Sequence, residues 1–200
     1  MKKLLSILII CCTGLVGCVQ FDESTYITDD EGVVHHTVHY SLDFRGRMYF
    51  PKKIPKQGQK VFVFDPKEHA WAAYDAEGNR VLTGGASGGN DVCEDINHQC
   101  RTVTGVFKLY NKRGASCLSG EYPVATEGGA KMPYCMYFYR GFTIHAAYYI
   151  PRSNVSHGCI RVYPSAAKWL NEEFMTIGTK VIVLSYPDED GDADWLNEGL

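Results

Sequence analysis

Nowhere do the 200 residues hold an apolar run of the roughly 20 positions that a bilayer-crossing helix requires, which excludes a multi-spanning membrane protein. An excess of one charge is also missing. The formal net charge is −3 and the pI about 6.1, so the basic signature of a nucleic-acid binder is absent. No internal repeat is apparent. The glycine-rich run 84–89 is followed by neither Gly-Lys-Ser/Thr nor a helical pattern, so it is not a phosphate loop. Hydrophobic residues at 45%, charged at 22% and aromatic at 12% are globular values that exclude disordered and collagen-like chains. The length suits one domain of ordinary size. What is plentiful is cysteine. Eight are too many for a reducing cytosol and too unevenly spread for a zinc ribbon.

The first residues read as an export signal. Met1-Lys2-Lys3 is a basic start, Leu4 to Ile10 a short apolar or small run, and Leu15-Val16-Gly17-Cys18 resembles a bacterial lipobox. Residues 1–17 are then a lipoprotein signal peptide and Cys18 the lipidated first residue of the mature chain; cleavage of an ordinary signal near Gly17 is the alternative. Stable anchoring takes at least two acyl chains, which a lipidated Cys18 supplies. Val19-Gln20 follows the Cys, and resemblance to Gram-negative lipoproteins implies that a chain without Asp there is sorted to the periplasmic face of the outer membrane. The charge is uneven. Residues 19–40 and 187–200 carry acids and no Lys or Arg, whereas residues 41–186 carry 18 basic and 12 acidic residues, a net +6 that suits an anionic ligand.

Residues 18–58 read as the lipidated Cys and a tether. The tether's His35, His36 and His39 are read as solvated rather than metal-binding. From residue 59 the pattern is β-rich. Strands are expected at 61–65, 70–75, 81–83, 104–110, 136–140, 142–147, 157–162 and 180–186, with a hairpin connection at 66–69. One amphipathic helix, 164–174, starts on Pro164. Many short strands with one helix imply a mostly β sandwich or barrel. The acidic tail, 187–200, fails the calcium-loop register and reads as disordered and solvated.

Ser156-His157-Gly158-Cys159-Ile160-Arg161 carries the chemistry. On a strand over 157–162, His157 and Cys159 share a face, joined by Arg161. A thiol beside an imidazole is the minimum for nucleophilic catalysis. Arg161 favours a thiolate or holds a substrate carboxylate. Gly158 leaves room for a substrate backbone. Two other readings stand beside this one: a zinc pair with His145 as third ligand, which His-x-Cys spacing disfavours, and a buried structural cysteine.

This motif, with Ile144-His145 a dozen residues upstream, resembles the signature of the L,D-transpeptidase (YkuD-type) catalytic domain. Thr104-Gly105-Val106-Phe107, the 164–174 helix and Gly178-Thr179-Lys180-Val181 match further pieces, over about residues 59–186. The insert Cys93 to Cys100, with Arg101-Thr102, and Met132-Pro133-Tyr134-Cys135-Met136 resemble the enhanced-entry-protein branch. Where the family often has Gly then Ser or Thr after the upstream His, this chain has Ala146-Ala147.

The resemblance implies a mixed β sandwich or barrel with one short helix after the active-site strand, acting on peptidoglycan stem peptides. Cys159 attacks the bond between the third-residue diamino acid and D-Ala. His157 serves as general base and acid, and backbone N–H groups of Gly158 and Cys159 hold the oxyanion. His145, Ser156 and Arg161 contact substrate. An amine, from another stem or from a protein lysine, resolves the thioester; no metal or cofactor is required. The alternatives are an L,D-carboxypeptidase using water and a non-catalytic wall-binding lipoprotein. Once Cys11 and Cys12 leave with the signal and Cys18 takes the lipid, five cysteines remain, and the motif makes Cys159 the unpaired one. The expected bridges are Cys93–Cys100 and Cys117–Cys135, one of three connectivities that four cysteines allow.

Overall fold

A computed structural model describes residues 26–29 and 32–189. The expected signal peptide, Cys18 and the tail beyond residue 189 lie outside these residues. A small antiparallel pair, β1 (Tyr26–Thr28) with β2 (Val34–His36), precedes the main body. That body is one mixed sheet of nine strands, ordered β6-β11-β3-β4-β5-β10-β9-β8-β7. The strands are β3 (Val61–Asp65), β4 (Ala70–Tyr74), β5 (Arg80–Ser87), β6 (Gly105–Lys108), β7 (Asn111–Lys112), β8 (Met136–Tyr139), β9 (Phe142–Ala146), β10 (Ile160–Val162) and β11 (Lys180–Val183). Two neighbour pairs are parallel, β3 with β11 and β9 with β10; the others are antiparallel. The sheet curls into a half-barrel, so that Phe107 of β6 meets Phe138 of β8 with ring centroids 5.5 Å apart.

Strand alternation builds two cores. Phe62, Phe64, Trp71 and Ala73 face the inside of the curl, with Ile144, Ile160 and Val162. The helix α1 (Pro164–Trp169), continued by a π-helical turn, Leu170–Phe174, fills that core with Ala166, Ala167, Leu170 and Phe174. Val61, Val63, Ala70, Ala72 and Tyr74 point the opposite way into a second core. Burial on both faces makes β3 and β4 read as continuous apolar runs rather than alternating ones.

The cover of the second core corrects the tether expectation. The strap that carries Phe50 and Ile54 covers the outer face of the sheet, with both side chains in the second core and only 2% and 4% exposed, while Tyr40 before it lies on the helix side, its N–H donating to Ser165 at 3.0 Å. Burying two such side chains contributes roughly 3–6 kcal/mol before ordering costs. Hydrogen bonds fix the strap: the Gly85 N–H donates to Asp43 at 2.6 Å, and the Tyr74 hydroxyl to the Pro51 carbonyl at 3.0 Å.

The glycine-rich run is also more regular than its composition suggests, since Gly84 and Gly85 continue β5. A Cβ on Gly84 would lie 2.8 Å from the Trp71 indole nitrogen, and one on Gly85 would lie 1.8 Å from the Arg45 guanidinium. At the other end, the acidic tail begins inside the fold. Arg101 pairs with Asp188 at 2.7 Å, and Glu189 accepts from Thr104 at 2.9 Å.

Candidate active site

Parallel pairing of β9 with β10 sets Ile144 opposite Ile160 and His145 opposite Arg161. Ile144 and Ile160 face the inner core, so Thr143, His145 and Arg161 face the other way; His145 and Arg161 line a cleft of about 1640 Å³, and Thr143 is buried beneath it. Cys159, one residue before β10, joins that face. Its Sγ accepts a hydrogen bond from the Thr143 hydroxyl at 3.4 Å. Cys159 is the free cysteine among the described residues. Burial pushes its thiol above the ordinary value, opposed by the Thr143 hydroxyl and backbone N–H and by the Arg161 charge. The resting group is therefore a neutral thiol, and attack requires a base.

The strand expected over 157–162 spans only 160–162. Gly158 has φ 114°, which breaks the two-residue alternation, so His157 and Cys159 do not share a strand face. A Cβ at Gly158 would also lie 2.7 Å from the Phe142 ring, so this turn needs glycine twice over. Ser156, 1% exposed, braces the turn: its hydroxyl donates to the Cys159 carbonyl at 2.5 Å and accepts the Gly158 N–H at 3.1 Å. Of the expected oxyanion pair, the Gly158 N–H is thus engaged by the Ser156 hydroxyl in this structure.

Two imidazoles line the cleft, held in different ways. His157 is half-buried. Its Nε2 meets both carboxylate oxygens of Asp95 at 2.8 and 2.9 Å, and its ring lies against Tyr122 at 4.6 Å. The His157 hydrogen bond holds Asp95 below the usual carboxylate range. His145 is 7% exposed. Its Nδ1 donates to the Ala146 carbonyl at 2.9 Å, which leaves Nε2 as the acceptor. Burial, with help from Arg161, pushes its pKa down to about 4, so the ring is neutral at neutral pH. Arg161 is half-buried beside them, and desolvation lowers its pKa. Among the described residues it makes no ion pair.

Two disulfides shape the walls. Cys93 bonds Cys100, closing the short loop that carries Asp95 to His157. Cys117 bonds Cys135 and, with Met132, packs against Cys159 and Tyr137. The ligand atoms of Cys93, Asp95 and His157 lie within 4.8 Å of one another, but the Cys93 sulfur is committed to its bridge. Two of the three tether histidines have separate partners: His35 pairs with Asp29 at 2.6 Å and stacks on Tyr148, and His39 meets Ser41.

Sequence reasoning missed Thr143, Asp95 and Tyr122. Thr143 lay two residues before His145, which on a strand is the same face. Asp95 lay inside the shortest Cys–Cys loop. Tyr122 carried no signal.

The family model for YkuD, the L,D-transpeptidase catalytic domain, matches residues 59–183. No curated protein matches the chain. Among solved structures, an L,D-transpeptidase from Xylanimonas cellulosilytica is similar at 28% identity and TM-score 0.56, over 67% of this chain and 64% of that one. One from Stackebrandtia nassauensis is similar at 22% identity and TM-score 0.53, over 68% and 60%. One from Mycobacterium smegmatis is similar at 23% identity and TM-score 0.53, over 64% and 59%. The chain thus spans about three fifths of the length of these solved relatives.

Proposed function

This chain belongs to the L,D-transpeptidase (YkuD) catalytic domain family, and on that basis we propose that it is a cysteine-dependent acyltransferase of peptidoglycan stem peptides. The observation that carries this reading is a free thiol, Cys159, backed by the Thr143 hydroxyl and set in a wide cleft with two imidazoles and an Arg161 that makes no ion pair among the described residues.

In this account Cys159 Sγ attacks the carbonyl that links the stem's third-residue diamino acid to D-Ala. The thiol proton passes to an imidazole, and the Cys159 N–H faces the developing oxyanion. The same imidazole returns the proton to the leaving amine, D-Ala departs, and a thioester remains. An amine from a second stem resolves it to a 3→3 cross-link; a protein lysine gives a protein–wall tether. Arg161 offers its guanidinium to a substrate carboxylate. No step calls on a metal or cofactor.

The base has two readings. The motif assigns it to His157, whose Nδ1 is the ring nitrogen Asp95 leaves open. The fixed tautomer and neutral state of His145 favour His145 instead, with Nε2 as acceptor, on the sheet face it shares with Thr143. Substituting each by Gln and measuring thioester formation in a single turnover separates them: the base variant loses acylation by about 100-fold or more. The other keeps most of it and shows its loss in substrate affinity.

Export through the 1–17 signal, lipidation at Cys18 and residence at the outer membrane complete the proposal, supported by the basic start and the Leu-Val-Gly-Cys sequence. Mass spectrometry of purified stem tetrapeptides after incubation with the enzyme tests the reaction. Cross-linked 3→3 dimers support transpeptidation, tripeptides alone turn the reading to an L,D-carboxypeptidase, and unchanged substrate turns it to a non-catalytic wall-binding protein.

A further inference from the structure

Residues 44–64 contain no Asp or Glu and six bases: Arg45, Arg47, Lys52, Lys53, Lys56 and Lys60. Two of these turn inward. Arg45 donates to the Ile150 carbonyl at 3.2 Å, and Lys60 to the Phe174 carbonyl at 2.7 Å. Arg47, Lys52, Lys53 and Lys56 are exposed, and among the described residues none of the four makes an ion pair.

Apolar side chains stand beside them. Leu42, Phe44, Met48 and Tyr49 are exposed by 51%, 56%, 97% and 45%, so eight consecutive positions hold a concentration of exposed large hydrophobics. Met48 is almost wholly in solvent, and the Arg47 guanidinium sits 4.3 Å from the Phe44 ring centroid. A monomeric domain normally hides such a group or uses it.

The backbone beneath is held firmly. The Arg80 guanidinium donates to the carbonyls of Arg47 and Phe50. The Arg80 N–H donates to the Lys52 carbonyl at 2.9 Å, and the Ile54 N–H to the Gly78 carbonyl at 2.8 Å. Phe50 and Ile54 point into the second core while their neighbours point out. The outward set is thus a preformed face, and docking requires little ordering of the chain.

We propose that this strap, residues 42–56, is a membrane-docking face: Arg47, Lys52, Lys53 and Lys56 take anionic lipid headgroups, and Phe44 and Met48 enter the interface. Apolar tips among bases, with the run's one acid, Asp43, buried against the Gly85 N–H, match an anionic bilayer surface in both charge and polarity. A protein partner rich in acids would satisfy the bases but leave Met48 and Phe44 without a match. Seven residues, a reach of about 29 Å, separate Cys18 from Tyr26, so a lipid on Cys18 would hold the domain close to a bilayer surface. The strap's own chemistry does not depend on the lipid-anchor reading.

Every described residue lies beyond Cys18, so a chain beginning at residue 19 keeps the whole described fold and carries no lipid. Flotation of this chain with vesicles containing phosphatidylglycerol, against pure phosphatidylcholine vesicles, measures the docking alone. Binding is expected to the anionic vesicles only, weakened by salt, and about five-fold weaker for each of Lys52, Lys53 and Lys56 changed to Gln. The Phe44→Ser/Met48→Ser pair should lose binding while retaining its melting temperature and its activity on soluble stem peptides, because neither residue lines the cleft. Absence of binding, equal binding to both vesicle types, or unchanged binding by these variants overturns the proposal. So does a dimer, seen by sedimentation without vesicles and abolished by the Phe44/Met48 pair, which assigns the face to self-association. Failure of the lipid-anchor reading is a separate result, seen as an unmodified Cys18 in the mass of the exported protein.

Discussion

His145 makes the sharpest quantitative prediction. The buried ring has its pKa lowered from 6.5 to about 4, with burial the main cause and Arg161 adding to it. In the unfolded chain the imidazole takes up a proton near pH 6.5, while in the folded chain it resists until about pH 4. Between those values the unfolded state binds more protons, so stability falls as the pH falls. The contribution is complete above pH 6.5 and is lost progressively down to about pH 4. Its full size follows from the shift and is about 3 kcal/mol. Replacing His145 by Gln removes this titration and little else of similar charge. Urea denaturation of both proteins from pH 7.5 to 4 then yields a stability difference in which the other titrating groups cancel. That difference should move by about 3 kcal/mol across the range, the wild type losing more. A flat difference would refute the claim that the ring is held neutral, and with it the argument for His145 as proton acceptor.

Three further substitutions probe the turn that presents Cys159. Gly158→Ala must place a Cβ 2.7 Å from the Phe142 ring at φ 114°, and thermal melting should show a loss of about 1–3 kcal/mol together with collapse of acylation. Ser156→Ala leaves the Cys159 carbonyl and the buried Gly158 N–H without their partner, so denaturant unfolding should report about 1–3 kcal/mol lost, with kcat reduced as the turn loosens. Asp95→Asn weakens an exposed contact to His157, and steady-state assays should find kcat/KM lowered by no more than about five-fold. A much larger loss would mean that Asp95 touches substrate.

Sequence carried much of this, in an uneven way. The strand 61–65, the strand from 180 (expected to 186, ending at 183) and the helix from Pro164 were legible because β-rich runs and a proline start are local signals. The strap was not. Its burial depends on Phe50 and Ile54 meeting a sheet face that later residues build, and a Pro- and Lys-containing stretch gives no periodicity to betray that. The site divides in the same way. Cys159 and both histidines stood out by residue type and spacing. The break at Gly158 did not, because a six-residue run ending in Ile-Arg-Val looks like one strand until the positive φ is seen. Asp95 meets His157 across 62 positions, a pairing that only the folded chain brings about. The Gly158 N–H likewise counted as an oxyanion donor until the Ser156 hydroxyl was found to claim it.

The central claim is that Cys159 attacks the stem peptide. Release of D-Ala from a disaccharide-tetrapeptide, measured with the wild type and with Cys159→Ala, tests it most directly. The free thiol is in no bridge and only partly buried, so the variant should fold and melt within about 1–2 kcal/mol of the wild type. Stoichiometric thioester is expected on the wild type and no D-Ala release from the variant. A folded Cys159→Ala protein that still released D-Ala would contradict it.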